Sequence, residues 1–394
     1  MKRYWKISLL SIAMVMVLGT FYLQSGLAAK DNVKIEFEKI SGDEAELNDL
    51  VLYGDYRIGD MTQSFRQVST KETLILNNRS FLEEVINNNY QPVFEKLIDE
   101  HRSFMRGKAF YGNSFFENEN LLAYAGMKRD FNYSSIDYTL DIDVLDKKTN
   151  DTTSFQYKVP NSSDYGWYDV VDVQVFDGIL SVIVRSSLTT GGEEASLYTF
   201  DMETQKLVKN ETIVTTSTVE NGWSGLIFND NQSSIQPEKY AFIKRESESY
   251  ENEQNFDTSP SVVKEVFVYN KETNVLKEVE MLEELANEIY STSIKDGILY
   301  LSIVMEKGFE VHQYDIEKEQ WGVVEKFDKA DMKNGYETTY MTLMNGKLYS
   351  SYLTDSGHIF FIGDITTGET LYEGKIKVDS ADYTKDSLYI HYIE

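Results

Sequence analysis

Four histidines, His101, His312, His358 and His391, are the residues of this 394-residue chain best suited to metal ligation or general-base work. Either role requires an imidazole to converge with carboxylates in a confined space. His312, His358 and His391 lie in strand-like segments at positions that are not equivalent to one another, and His101 belongs to a helical stretch. All four therefore read as structural side chains, and no catalytic residue is assigned. The chain has no cysteine, which removes disulfides, thiolate nucleophiles, Cys-ligated zinc and iron–sulfur clusters. A Ser-His-Asp hydrolase lacks its Gly-x-Ser-x-Gly elbow. Gly191-Gly192 has neither the lysine nor the following helix of a phosphate loop, and reads as a hairpin loop. Asp141-Ile142-Asp143 alternates acid with apolar residue like the wet face of a strand. No twelve-residue calcium loop occurs, so calcium is a ligand that no motif supports and no cofactor is expected. Tyrosine, present 27 times, favours strands and packing between sheets; stacking on a glycan is its second reading.

Two turn patterns organise the elements that carry these residues. The first is Asp177-Gly178-Ile179-Leu180, Asp296-Gly297-Ile298-Leu299-Tyr300, Asn345-Gly346-Lys347-Leu348-Tyr349 and Asp386-Ser387-Leu388-Tyr389, with looser copies at Asn120-Leu121-Leu122-Ala123-Tyr124 and Asp49-Leu50-Val51. Asp-Gly and Asn-Gly accept the positive φ values of a tight hairpin. The second places Asp or Asn three residues before Thr: Asp146 with Thr149, Asp201 with Thr204, Asn270 with Thr273, Asp315 with Lys318 in place of Thr, and Asp364 with Thr367. A degenerate copy pairs Thr70 with Thr73. The short carboxylate or amide accepts hydrogen bonds from amides further along the chain and closes a turn between strands. These are structural residues, and six copies predict six outer hairpins.

The N-terminus bears on compartment. Lys2, Arg3 and Lys6 precede residues 7–23, an uncharged run of 17 residues, and Gly26 and Ala28 suit signal-peptidase cleavage after Ala28. Residues 1–29 are thus expected to be a signal peptide or, uncleaved, a membrane anchor formed by 7–23. The body is sent outward, to be secreted or held at the outer face of the cytoplasmic membrane; lack of cysteine fits a Gram-positive bacterium. The formal net charge of −27 disfavours nucleic acid and anionic lipid as partners.

Successive Asp or Asn corners from Asp146 to Asp364 lie 55, 69, 45 and 49 residues apart, and the shorter intervals match the ~40–50 residues of a four-stranded propeller blade. The expected fold is all-β: a β-propeller of six four-stranded blades, with seven the next count, closed by N- and C-terminal strands sharing one blade. Residues 30–44 read as a linker and 45–394 as one propeller domain. A helical insertion is expected at about 80–107, with Ser80 and Glu83 at capping-box spacing, Pro92 at a first helical position, and Val93, Phe94, Leu97, Ile98, Phe104 and Met105 on one face. Residues 281–289 predict a second short helix, and acidic residues 245–259 an exposed loop.

The alternation of Asp-Gly-x-Leu-Tyr with Tyr-Asp-x-x-Thr-Gly resembles the blades of quinoprotein-type and TolB-like bacterial propellers. Only Asp364-Ile365-Thr366-Thr367-Gly368 carries the second turn through its glycine, and the tryptophan frequent after it in quinoprotein blades occurs once, as Trp321. A quinone is accordingly not expected. The functional expectation is a noncatalytic extracytoplasmic propeller that binds a protein or cell-envelope component, in a regulatory or assembly role. The alternative is an exported propeller hydrolase or lyase acting on a wall polymer or small ester, marked by convergent His, Asp and Glu in an axial channel. A membrane-partnered sensor is the third reading.

Overall fold

The computed structural model describes residues 34–48, 50–58, 61–68, 70, 72–76, 91–132, 135–228, 235–250, 261–282, 285, 289–333, 339–379 and 388–394, with scattered positions between 5 and 20. The described positions in that first stretch are helical, and among the described residues no helix is long and apolar enough to cross a membrane. Most of the expected signal or anchor segment, the capping box at Ser80 and Glu83, and most of the 245–259 loop lie outside the described residues.

Among the described residues, six antiparallel sheets account for nearly all the regular structure. The first holds β2 (Val51–Ile58), β3 (Met61–Val68) and β4 (Glu72–Ile75), with β25 (Leu388–Ile393) paired to β2. The second holds β5 (Phe115–Glu117), β6 (Leu121–Asn132), β7 (Ser135–Asp146) and β8 (Thr152–Lys158). The third is β9 (Tyr165–Phe176), β10 (Ile179–Leu188), β11 (Glu193–Asp201) and β12 (Lys206–Thr215). The fourth is β13 (Gly222–Phe228), β14 (Tyr240–Ser249), β15 (Ser261–Asn270) and β16 (Val275–Val279). The fifth is β17 (Ile289–Lys295), β18 (Ile298–Met305), β19 (Gly308–Asp315) and β20 (Gln320–Asp328). The sixth is β21 (Tyr340–Met344), β22 (Lys347–Thr354), β23 (Gly357–Asp364) and β24 (Thr370–Asp379), extended by β1 (Lys34–Gly42). Residues 34–42, read from sequence as linker, are thus a sheet strand. Ile289, read as helical, opens β17, while Leu285 is buried in a turn.

Central strands such as β22 and β23 are buried along almost their whole length, because both faces of the sheet are covered; β8 at an edge alternates exposed and half-buried residues. Asp177 and Gly178 take φ of 47° and 80°, Asp296 and Gly297 51° and 77°, and Asn345 and Gly346 55° and 77°, the double positive φ of a tight hairpin. Apolar clusters join the second sheet to the third, the third to the fourth, the fourth to the fifth, the fifth to the sixth and the sixth to the first.

Between the first and second sheets stands helix α1 (Pro92–Met105). Phe94, Leu97, Phe104 and Met105 pack on Phe115, Leu122, Tyr124 and Leu145 of the second sheet. Toward the first sheet, Arg66 Nη1 pairs with Glu95 Oε1 at 3.2 Å and Gln91 Nε2 donates to Tyr392 Oη at 3.1 Å. The closed six-bladed propeller expected from turn spacing is therefore corrected. Every ladder is an open sheet with free ends to its strand order, none curled or closed, and one sheet has five strands; the architecture is an all-β fold of six antiparallel sheets with a helix at one junction. The physical reason is locality. An Asp-x-x-Thr corner specifies a hairpin and carries no information about how one sheet sits on the next.

Candidate cation site between the helix and the second sheet

In a regular helix, consecutive residues point about 100° apart and cannot hold one ion. Glu100 and His101 escape this limit because His101 has φ −131° and ψ 42°, a break within α1 that redirects its ring relative to its neighbour. His101 is half-buried and lies between Leu97 and Phe104, the buried residues that pack the helix on the second sheet. There it meets Glu117 at the end of β5. Glu117 is held by pairing with Leu122 of β6 and by donation from its backbone N–H to Ile235 O at 2.7 Å. One ligand atom each from Glu100, His101 and Glu117 lies within 4.8 Å of the others. Glu100 is exposed, His101 half-buried and Glu117 buried, so the group opens to solvent on one side.

A fourth residue completes the arrangement. Lys147 Nζ sits 2.5 Å from Glu117 Oε1 and donates to Asn118 O at 2.8 Å, while its backbone N–H donates to Asn120 O at 2.9 Å. Lys147 is placed by the β7–β8 corner, where Asp146 Oδ1 accepts from the amides of Lys148 at 2.8 Å and Thr149 at 3.0 Å. Nearby, Lys108 Nζ pairs with Asp143 Oδ2 at 2.6 Å over the Phe104 ring, pinning the end of the helix to β7. One imidazole and two carboxylates are the donor set of zinc, manganese and similar divalent ions. Seating such an ion requires the three groups to close to about 3.4 Å of one another, given metal–ligand bonds of ~2.1 Å.

The other sequence candidates stay apart. His312 of β19 is buried and lies 3.2 Å from Glu310 Oε2, while Glu310 Oε1 pairs with Lys326 Nζ at 2.5 Å; burial opposes the charge on Glu310, but Lys326 above all, with the His312 hydrogen bond, holds its carboxyl below the usual range. His391 of β25 lies 2.8 Å from Asp55 Oδ2 of β2, and His358 is buried in β23. Asp141 accepts from Lys128 and Gln156, and Asp143 from Lys108, so these acids are structural ion-pair members. Gly191 and Gly192 have φ of 96° and 84° in the β10–β11 loop, with Leu188 N–H donating to Gly192 O.

The corner residues lie at five separate hairpins. Asp201 accepts from Thr204, Asn270 from Glu272 and Thr273, Asp315 from Glu317 and Lys318, and Asp364 from Thr366 and Thr367, all through backbone amides at 2.7–3.1 Å. Asp146, Asp201 and Asp315 are held below the usual carboxylate range chiefly by these hydrogen bonds, from Thr149 and Thr204 amides and from the Lys318 side chain respectively. The residue four beyond each corner has positive φ: Asn150, Gln205, Asn274, Glu319 and Gly368.

No family model matches the chain, and no curated protein matches it. Among solved structures, a Glu150Asp mutant of Synechocystis apocarotenoid oxygenase is 8% identical over 94% of this chain and 98% of its own, with a TM-score of 0.41. Pyrococcus horikoshii acylaminoacyl peptidase is 11% identical over 65% of this chain and 44% of its own, at 0.31. A subtype N10 neuraminidase-like protein of A/little yellow-shouldered bat/Guatemala/060/2010 is 10% identical over 88% of this chain and 100% of its own, at 0.31. The chain spans less than half the length of the peptidase. These are weak, low-identity likenesses to varied propeller-like folds; they single out neither the quinoprotein-type nor the TolB-like family and assign no activity.

Both expected functions are corrected with the fold. Envelope binding by a propeller face and hydrolase or lyase chemistry in an axial channel each required a closed ring, and the open sheets supply none. Glu100, His101 and Glu117 were missed as a group. The available signal was a histidine inside the apolar stripe of a helix.

Proposed function

We propose that the chain is an exported, noncatalytic protein that binds a divalent transition-metal cation at the junction of α1 and the second sheet. The observation that carries the reading is the convergence of three ligand atoms from Glu100, His101 and Glu117 within 4.8 Å. Bound there, a cation fastens the helix to β5 and so stiffens the contact between the first and second sheets. Export is supported by Lys2, Arg3 and Lys6 ahead of uncharged residues 7–23. A noncatalytic role is supported by the partners of His312 and His391, which are Glu310 and Asp55 rather than a hydroxyl nucleophile.

Equilibrium dialysis of the untagged full-length chain against Zn²⁺ and Mn²⁺ tests it. One ion per chain is expected, with affinity falling at least about tenfold in His101→Ala and in Glu117→Gln, in line with loss of a metal ligand. Equal binding by the wild type and the double variant sinks the proposal.

A further inference from the structure

We infer that Lys147 is a built-in competitor for this site, so that a cation binds by exchanging with its ammonium on Glu117; the inference rests on the cation reading above. Glu117 is 9% exposed, and a carboxylate so buried requires a counter-charge. Lys147 Nζ supplies it at 2.5 Å. A divalent ion among Glu100, His101 and Glu117 would supply it too, but both together place three positive charges against the two carboxylates of Glu100 and Glu117, with the ion and the ammonium sharing the buried one. Repulsion at such separations exceeds what a second bond to Glu117 returns.

Geometry allows the exchange without unfolding. Lys147 is anchored through its backbone to Asn120 and by the Asp146 corner, and its side chain has a second acceptor in Asn118 O. The ammonium can therefore swing from Glu117 while keeping a partner. The chain just after α1 is independently pinned to β7 by Lys108 and Asp143, so displacing Lys147 from Glu117 does not release the helix from the second sheet. Lys147 thus sets a threshold: the apo junction is neutralised internally, and loading requires a cation concentration high enough to displace the lysine.

The test compares full-length wild type with Lys147→Met and Lys147→Gln. Zn²⁺ affinity is measured by competition with a chromogenic chelator, and thermal unfolding is recorded with and without Zn²⁺. Lys147→Met is expected to bind Zn²⁺ at least about tenfold more tightly. Its midpoint falls below wild type without the ion, because Glu117 is left buried and uncompensated, and returns with it. Lys147→Gln keeps a donor toward Asn118 and Glu117 and guards against a folding failure in the methionine variant; it is expected to tighten binding as well. Wild-type binding with unchanged or weaker binding in both variants overturns the competitor role while leaving the cation site standing. No binding by any of the three proteins overturns both.

Discussion

Glu394 shows what burial does to one carboxyl. It pairs through its backbone with Val51, and its Oε2 is buried with no hydrogen-bond partner among the described residues. Burial pushes its pKa up to about 7; Arg66 pulls it down and Glu95 adds to the rise. The folded chain therefore holds this proton more tightly than the unfolded one, whose glutamate ionises near 4.5. Its contribution to stability is lost as pH rises from 4.5 through about 7. Glu394→Gln is expected to leave urea midpoints unchanged at pH 4 and raise them at pH 8, flattening the profile between. A variant that is equally affected at both pH values removes this assignment.

At the scale of elements, hairpin corners follow from residue type because positive φ and side-chain acceptance are local demands. Gln205 breaks the preference: it has φ 58° at the fourth position after Asp201, exposed, where Gly368 occupies the equivalent corner. Gln205→Gly is expected to stabilise by about 0.5–1 kcal/mol, relief of left-handed strain outweighing the added freedom of the unfolded chain. Denaturant midpoints check this, and a loss of stability contradicts it. Pro92 and the apolar spacing that follows made α1 legible as well. Its site was not legible, since helical periodicity separates Glu100 from His101, the break at His101 is a packing outcome, and Glu117 and Lys147 arrive through contacts across the second sheet. The six-sheet arrangement was hidden for a related reason. Turn repeats count hairpins, whereas the placement of α1 between two sheets depends on Arg66, Glu95 and an apolar face whose destination no spacing encodes.

Whole-molecule cohesion depends on polar bolts as well as apolar clusters. Lys271, 4% exposed, follows β15 and reaches Asp172 of β9 at 3.0 Å and Glu238 at 3.7 Å, tying the fourth sheet to the third. Lys271→Met leaves Asp172 without this counter-charge, held by the Gln174 side-chain amide at 3.1 Å, and is expected to cost roughly 3 kcal/mol. Lys209→Met, which removes an exposed partner of Glu211, is expected to change stability by less than about 1 kcal/mol. Thermal and urea unfolding of the two variants make the comparison, and similar losses would mean that the buried contact does not hold the sheets together. The β25–β2 pairing sets the order of events during biogenesis. Tyr53 lies opposite Tyr392, so the strand made early in synthesis waits for one made hundreds of residues later. Until then β2 offers a bare backbone edge to any neighbouring chain. Slow synthesis of the C-terminal residues prolongs that interval and with it the window for aggregation.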